Sequence, residues 1–537
     1  MPHAPQPARS ALRSSALALL FAAAGTTAVR AQDTPNAAAM ARIRDEGFNH
    51  SQIMNIESWL ADVYGPRLTG SPYAKEAADW VLKQLTGWGA SNPHLEYWDF
   101  GGRGWVSERF SAQVVAPHPF PLEAYPGAWS DGTTGPETGE VAIVHVASTD
   151  DFAKYHGKLR GTWVMTSEPA ELEPHWTPDA RRFTDDDLAK MAAEPAPAAG
   201  GGRGGRGGRG GADTAAFRRQ REATQALPKF LEDEGALGEL RLGRGDDGTV
   251  FVAATGSRAM DAPPALPTIV VSSENYGRIY RIADKGIAVK VEVDARNRFV
   301  DNGGKSFNIV AEIPGTDLKD EYVMLGAHFD SWQSGTGATD NGAGSAVMLE
   351  AFRILKTLGL PMRRSVRLAL WTGEEEGLLG SRAYVREHFG YVDASGAHFT
   401  PENAKIAGYF NVDNGTGAIR GVYLQGNAAV RPVFEQWLAP FKDLGASTTT
   451  LSNTGGTDHL SFDAVTIPGF QFIQDPMDYS SRTHHSNMDV YERVQPHDMM
   501  QNAVIVASFV YDAANRAQQL PRKEVAIPAA RGGRGGN

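Results

Sequence analysis

Imidazoles and carboxylates collect at the ends of apolar runs in this chain. His328 and Asp330 close EYVMLGAHFD, and Asp340 follows a glycine-rich loop. Glu374, Glu375 and Glu376 come directly after VRLALW and a Thr-Gly pair, and Asp413 ends IAGYFNVD. His484 and His485 stand in THHSNMD, just after PGFQFI. Nitrogen and carboxylate oxygen are donors that zinc accepts. The chain has no cysteine, which excludes thiolate ligands and a cysteine nucleophile. It also has no G-x-S-x-G and no H-E-x-x-H, so a serine hydrolase elbow and a single-zinc endopeptidase helix are disfavoured.

Those apolar runs are short and end at glycine or polar residues, as buried strands do. After Asp340, Val347, Met348, Ala351, Phe352 and Leu355 recur at helical spacing. Strands alternating with helices predict an α/β fold with a mixed, mostly parallel sheet sandwiched by helices. In such sheets ligands bind at the carboxyl ends of the strands. The candidate ligands are therefore His328, Asp340, Glu375, Asp413 and His485. Taken singly, each has a plain structural role, such as a helix N-cap for Asp340. Taken together they reach one sheet edge. The set is too large for one tetrahedral ion with an open water position, so two zinc ions sharing a carboxylate fit it better.

With GAHFDSW, DNGAG, WTGEEEG, VDNGTG, GGTDHLSF and HHSNMD in this order, the chain resembles the co-catalytic zinc exopeptidases, and most closely their carboxypeptidase Q branch. That family includes bacterial leucyl aminopeptidases and glutamate carboxypeptidase. The resemblance implies that His328 and Asp413 hold one zinc, Glu375 and His485 the other, and that Asp340 bridges them. It implies Glu374 as general base and Asp330 as the group orienting the His328 ring. His485 is preferred to His484 because it begins an H-x-x-x-D spacing to Asp489. For the oxyanion, His484, Tyr479 and Arg482 are candidates. Asp458 and His459 either approach substrate or belong to a helix-capping turn. The implied activity is removal of N-terminal residues or hydrolysis of dipeptides and short peptides. A single-zinc glutaminyl-cyclase-like enzyme and a non-catalytic binding protein are the alternatives.

The 537 residues exceed one core and predict two domains with tails. A net charge of −11 argues against a nucleic-acid partner. Residues 1–31 read as a signal peptide: Arg9 and Arg13 precede the apolar ALALLFAAA, and small residues flank Arg30. An exported protein without stable membrane insertion follows, with peptide as partner; homodimerisation is left undecided by the sequence. Residues 32–115 are assigned to the first part of the catalytic domain and 116–297 to an inserted β-rich unit resembling a protease-associated domain. Residues 298–520 carry the metal-binding part, and 521–537 a flexible tail. The Gly/Arg-rich loop 198–213 and the tail's RGGRGGN are too low in complexity to pack a core. They lack the interleaved aromatic residues that stack on bases.

Overall fold

The computed structural model describes residues 34–196 and 215–527. The leader, the Gly/Arg-rich loop and the end of the tail lie outside the described residues. Two eight-stranded sheets form the frame.

The first sheet runs in space through Ser91–Asp99, Lys305–Ile313, Arg364–Trp371, Leu318–His328, Ile406–Asn411, Gly469–Gln474, Ile419–Tyr423 and Thr448–Thr450. Arg364–Trp371, Leu318–His328, Ile406–Asn411 and Gly469–Gln474 are consecutive and parallel. They are the four strands expected from the apolar runs, and their carboxyl ends share one edge. Both faces are covered, as parallel sheets require. Val323, Leu325 and Ala327 face a core shared with helices Ala37–Asn49, Ala343–Leu358 and Pro496–Asn515. The alternate residue Met324 joins Tyr384, Val385 and Phe462 on the opposite face. Ser91–Asp99 was not expected as a strand. It carries Pro93 and pairs only on one side, at the sheet edge where proline is tolerated.

The second sheet is larger than its expected boundaries. Gly104–Ala116 pairs antiparallel with Lys290–Val300 along nearly its whole length, so both strands belong there and the chain crosses between the sheets around residues 100–103 and 301–304. Nor is this unit β-rich alone. Glu137–Ile143, Thr162–Met165, Gly238–Leu242 and Thr268–Val271 pair in parallel, and helices Ala215–Glu234 and Ser273–Ala283 accompany them.

The tail also begins later than expected. Arg522 donates to the Asn403 side chain and to the carbonyls of Asn403 and Ile406, and Lys523 pairs with Asp463. Among the described residues no helix is long and apolar enough to cross a membrane.

Candidate metal centre

His328 is the last residue of its strand and is buried. Its Nδ1 lies 3.0 Å from the Asp330 carbonyl. A carbonyl only accepts, so Nδ1 carries a proton and Nε2 is left for a second proton or a cation. That nitrogen faces Asp340 Oδ1 and Asp413 Oδ1, each at 3.3 Å. Asp340 turns its other oxygen to the second half of the site, 3.4 Å from His485 Nε2. His485 Nε2 is also 2.9 Å from Glu375 Oε2. One buried carboxylate thus stands between two imidazoles, each with a further carboxylate beside it.

Two carboxylate oxygens converging on one ring nitrogen need a positive charge among them, either a proton on Nε2 or a bound cation. Asp340 Oδ2 and Glu375 Oε1 are buried and have no hydrogen-bond partner. Leaving such groups unmatched is costly. The donor chemistry and the orphaned oxygens therefore suit two cations, with Asp340 between them.

The electrostatics point the same way. Burial raises the Glu375 carboxyl far above the usual range, with Asp340 adding to the rise. Burial raises Glu374 likewise; His328 opposes this, while Asp413 and Asp458 reinforce it. Burial would also raise Asp340, yet hydrogen bonding to His328 and the nearby His484 and His485 bring it below the ordinary value. His328 is pushed well above 6.5: burial lowers it, but Asp413 and Glu374 outweigh that. Acid groups crowded this closely gain from any bound cation.

Asp330 meets the His328 ring through its backbone. Its backbone carbonyl, not its carboxylate, receives the His328 Nδ1 proton; the nearer carboxylate oxygen is 3.7 Å away. The carboxylate instead accepts from Thr69 Oγ1 at 2.8 Å and from the Glu374 and Glu375 amides at 3.3 Å. It fixes the turn that carries Glu374 and Glu375. Glu374 is buried beside this turn.

The other candidates separate. The Tyr479 hydroxyl donates to Asp340 Oδ1 at 2.8 Å, so that donor is taken. Arg482 points away, binding Asp179, Asp247 and Thr249 of the second unit, which removes it as an oxyanion donor. The His484 ring stacks on His485 at 3.6 Å between centroids and is 42% exposed, with Nε2 3.9 Å from Asp340 Oδ2. Asp458 is fully buried with both oxygens unpartnered, and burial pushes it up to about 7. His459 is equally buried, contacts Gln425 and is held neutral by burial, at about 4. It is closed off from solvent.

Several supporting residues escaped sequence reasoning. Arg67 is buried and donates to the carbonyls of Leu60, Phe329, Thr336 and Gly337, binding the loops on either side of the His328–Asp340 segment. Thr69 links Asp330 to the Gly373 amide. Asp489 accepts from the Thr339 amide, beside Asp340. The signal for the first two was the GPRLTGS turn, a buried-arginine motif that pattern alone assigns to structure. His485 sits at φ 62°, a left-handed conformation rare for a side-chain-bearing residue. Its carbonyl accepts from Val252 of the second unit at 2.8 Å, so that unit holds the loop in place.

Residues 308–510 match peptidase family M28. This span contains every ligand candidate. The whole chain is also similar to carboxypeptidase Q of Pongo abelii, 27% identical over 466 residues, covering 86% of this chain and 85% of that protein. Among solved structures, a peptidase M28 precursor from Shewanella amazonensis shares the fold with a TM-score of 0.61 and 22% identity, covering 90% of this chain and 98% of that one. A zinc aminopeptidase from Bacillus subtilis follows at a TM-score of 0.52 and 18% identity, covering 88% and 98%. The family match and the carboxypeptidase Q relative mark the chain as a metallo-exopeptidase hydrolase.

Proposed function

We propose that the protein is an exported zinc-dependent exopeptidase that hydrolyses the amide bond next to a free terminus of dipeptides or short peptides. The observation that carries this reading is Asp340, with one oxygen towards His328 and the other towards His485. His328 and Asp413 would hold one zinc, His485 and Glu375 the other, and Asp340 both. The donor set supports zinc, as does the zinc aminopeptidase among the solved structures with this fold. When bound, the ions would lower the pKa of a water molecule and polarise the scissile carbonyl.

The remaining steps fall to side chains. Glu374 takes the proton of the attacking water and delivers it to the leaving amine. His484, neutral because burial lowers its pKa, is the exposed N–H donor beside Asp340 and steadies the oxyanion. The Tyr479 hydroxyl keeps Asp340 aligned. The second sheet, read as a protease-associated-like unit, holds the His485 loop and borders the entrance. Processing of the basic and apolar leader should leave a mature chain starting near Gln32, which intact-mass measurement of the exported protein would check.

The activity test is a matched set: a free dipeptide, its N-blocked form, its C-amidated form, a doubly blocked form and a longer peptide, each with and without chelator. Chelator-sensitive cleavage that needs at least one free end is expected, and the tolerated block identifies the terminus recognised. Cleavage of the doubly blocked peptide, or cleavage surviving the chelator, would overturn the reading.

A further inference from the structure

The two halves of the candidate centre are braced from different directions. The His328 half is held by the first sheet and its helices. The His328 carbonyl accepts from Ser345 Oγ at 2.8 Å, and Asn341 Nδ2 donates to the carbonyl of Val412, next to Asp413, at 2.9 Å. His485 stands on a loop whose two ends are tied to that same unit. Thr483 Oγ1 accepts from Thr339 Oγ1 at 2.8 Å, and the Asp489 carboxylate accepts from the Thr339 amide. Between those ends the loop turns to residues 248–252 of the second unit, which lie between strands Gly238–Leu242 and Thr268–Val271. The His485 carbonyl accepts from the Val252 amide at 2.8 Å, Phe251 and Ser486 form an antiparallel bridge, and the Asn487 amide donates to the Val250 carbonyl at 3.2 Å.

The Asn487 side chain doubles this seam. Its Oδ1 accepts from the Val250 amide at 2.8 Å, and its Nδ2 donates to the Gly248 carbonyl at 3.0 Å, with a longer contact to Glu123 Oε1 at 3.4 Å. These partners fix the orientation of the amide, since a peptide N–H needs an acceptor and a peptide carbonyl a donor. One side chain thus binds the backbone of residues 237 and 239 positions earlier in the chain. His485 needs such support. Its φ of 62° is a conformation that side-chain-bearing residues adopt only when their surroundings impose it. Its Nε2 must also stay beside Glu375 and Asp340 together.

We propose that Asn487 is a positioning residue for His485, and that through it the second unit controls occupancy of the His485–Glu375 half of the centre and not of the His328–Asp413 half. Asn487 acts by clamping the backbone two residues beyond the ligand, with no contact to the ion required. With residues 248–252 displaced, the chain would keep one ion and lose the other. The proposal rests on the two-zinc reading.

The test titrates zinc into metal-stripped full-length protein, read by competition with a chromogenic chelator. The parent should take two ions per chain. Asn487→Ala should hold one as the parent does and the other at least about tenfold more weakly, the usual size for support lost behind a ligand. Asn487→Asp keeps the size and the acceptor for Val250 but loses the donor for Gly248; it should show the same selective loss by a smaller factor, and it carries the test if Asn487→Ala does not fold. Arg182→Gln cuts a different tie between the units, the ion pairs to Asp475 and Asp498. It should lower the melting temperature and leave both zinc affinities within about twofold, the range of independent sites. Adding Asn487→Ala to His485→Ala should weaken zinc binding no further, because the ligand it positions is already gone. Both ions held as in the parent, both weakened equally, the same selective loss in Arg182→Gln, or a further loss in the double variant would overturn the proposal. A parent that takes only one ion would instead overturn the two-zinc reading.

Discussion

Glu374 and Asp340 are both buried carboxylates, yet their surroundings push their acidities in opposite directions. Asp340 is surrounded by His328, His484, His485 and the Tyr479 hydroxyl, which keep it ionised. Glu374 has only the Asp330 carboxylate on its backbone amide, and burial favours its protonated form. In the proposed function Glu374 ferries a proton, which suits a carboxyl able to carry one, while Glu375 shares its rise and would be kept charged by the bound cation. Glu374→Gln removes the proton acceptor while keeping size and position. It should keep the zinc content of the parent and lower kcat by about 10² to 10⁴-fold, the usual contribution of a general base. Zinc analysis alongside steady-state kinetics checks this; near-normal kcat would mean that another group takes the proton.

At the scale of elements, three turns are tied together through one carboxylate. Asp330 accepts from Thr69, Glu374 and Glu375, and Thr69 in turn accepts from the Gly373 amide. The early GPRLTGS turn thereby sets the angle at which the Trp371 strand releases its acidic turn. Thr69→Val keeps the shape and deletes the hydroxyl, leaving the buried Gly373 N–H without a partner. A loss of about 1–3 kcal/mol in stability is expected for that. Zinc affinity should fall by roughly 10 to 100-fold, as for other losses of support behind metal ligands. Competition with a chromogenic chelator measures the second effect. A fall in melting temperature with unchanged zinc affinity would show that the turn braces the fold without aiming the ligands.

At the scale of the whole molecule, the large core carries one conspicuous burden away from the metal centre. Asp512, on helix Pro496–Asn515, has Oδ2 buried without a partner, and burial raises its carboxyl from 3.8 to about 8. The folded protein therefore keeps a proton that the unfolded chain has released between those two values. Stability must fall as pH rises through that window. Asp512→Asn has no proton to lose. Its melting temperature should exceed the parent's at pH 8 by more than at pH 5, and scanning calorimetry at the two pH values reads the difference. A gain that does not grow with pH would mean that Asp512 has a compensating partner.

The local patterns along the chain were enough to predict the strands that carry the ligand candidates. Four short apolar runs became adjacent parallel strands, because residues buried on both faces must be continuously apolar and their carboxyl ends then coincide. That placed His328, Asp340, Glu375, Asp413 and His485 along one edge before any coordinate was known. Pattern could not decide what depends on pairing across distance. Gly104–Ala116 looks like part of the first domain until its long pairing with Lys290–Val300 carries it into the second sheet. Arg482 and His484 lie two residues apart, and either could have faced the candidate metal centre. Asp179, Asp247 and Thr249 draw Arg482 away, while the left-handed backbone at His485 leaves His484 beside Asp340. Asp330 could orient a histidine through its carboxylate or its carbonyl; the hydroxyl of Thr69, far away in sequence, claims the carboxylate. Such choices are made by which distant donor arrives first at a buried acceptor, and that is a property of the assembled fold.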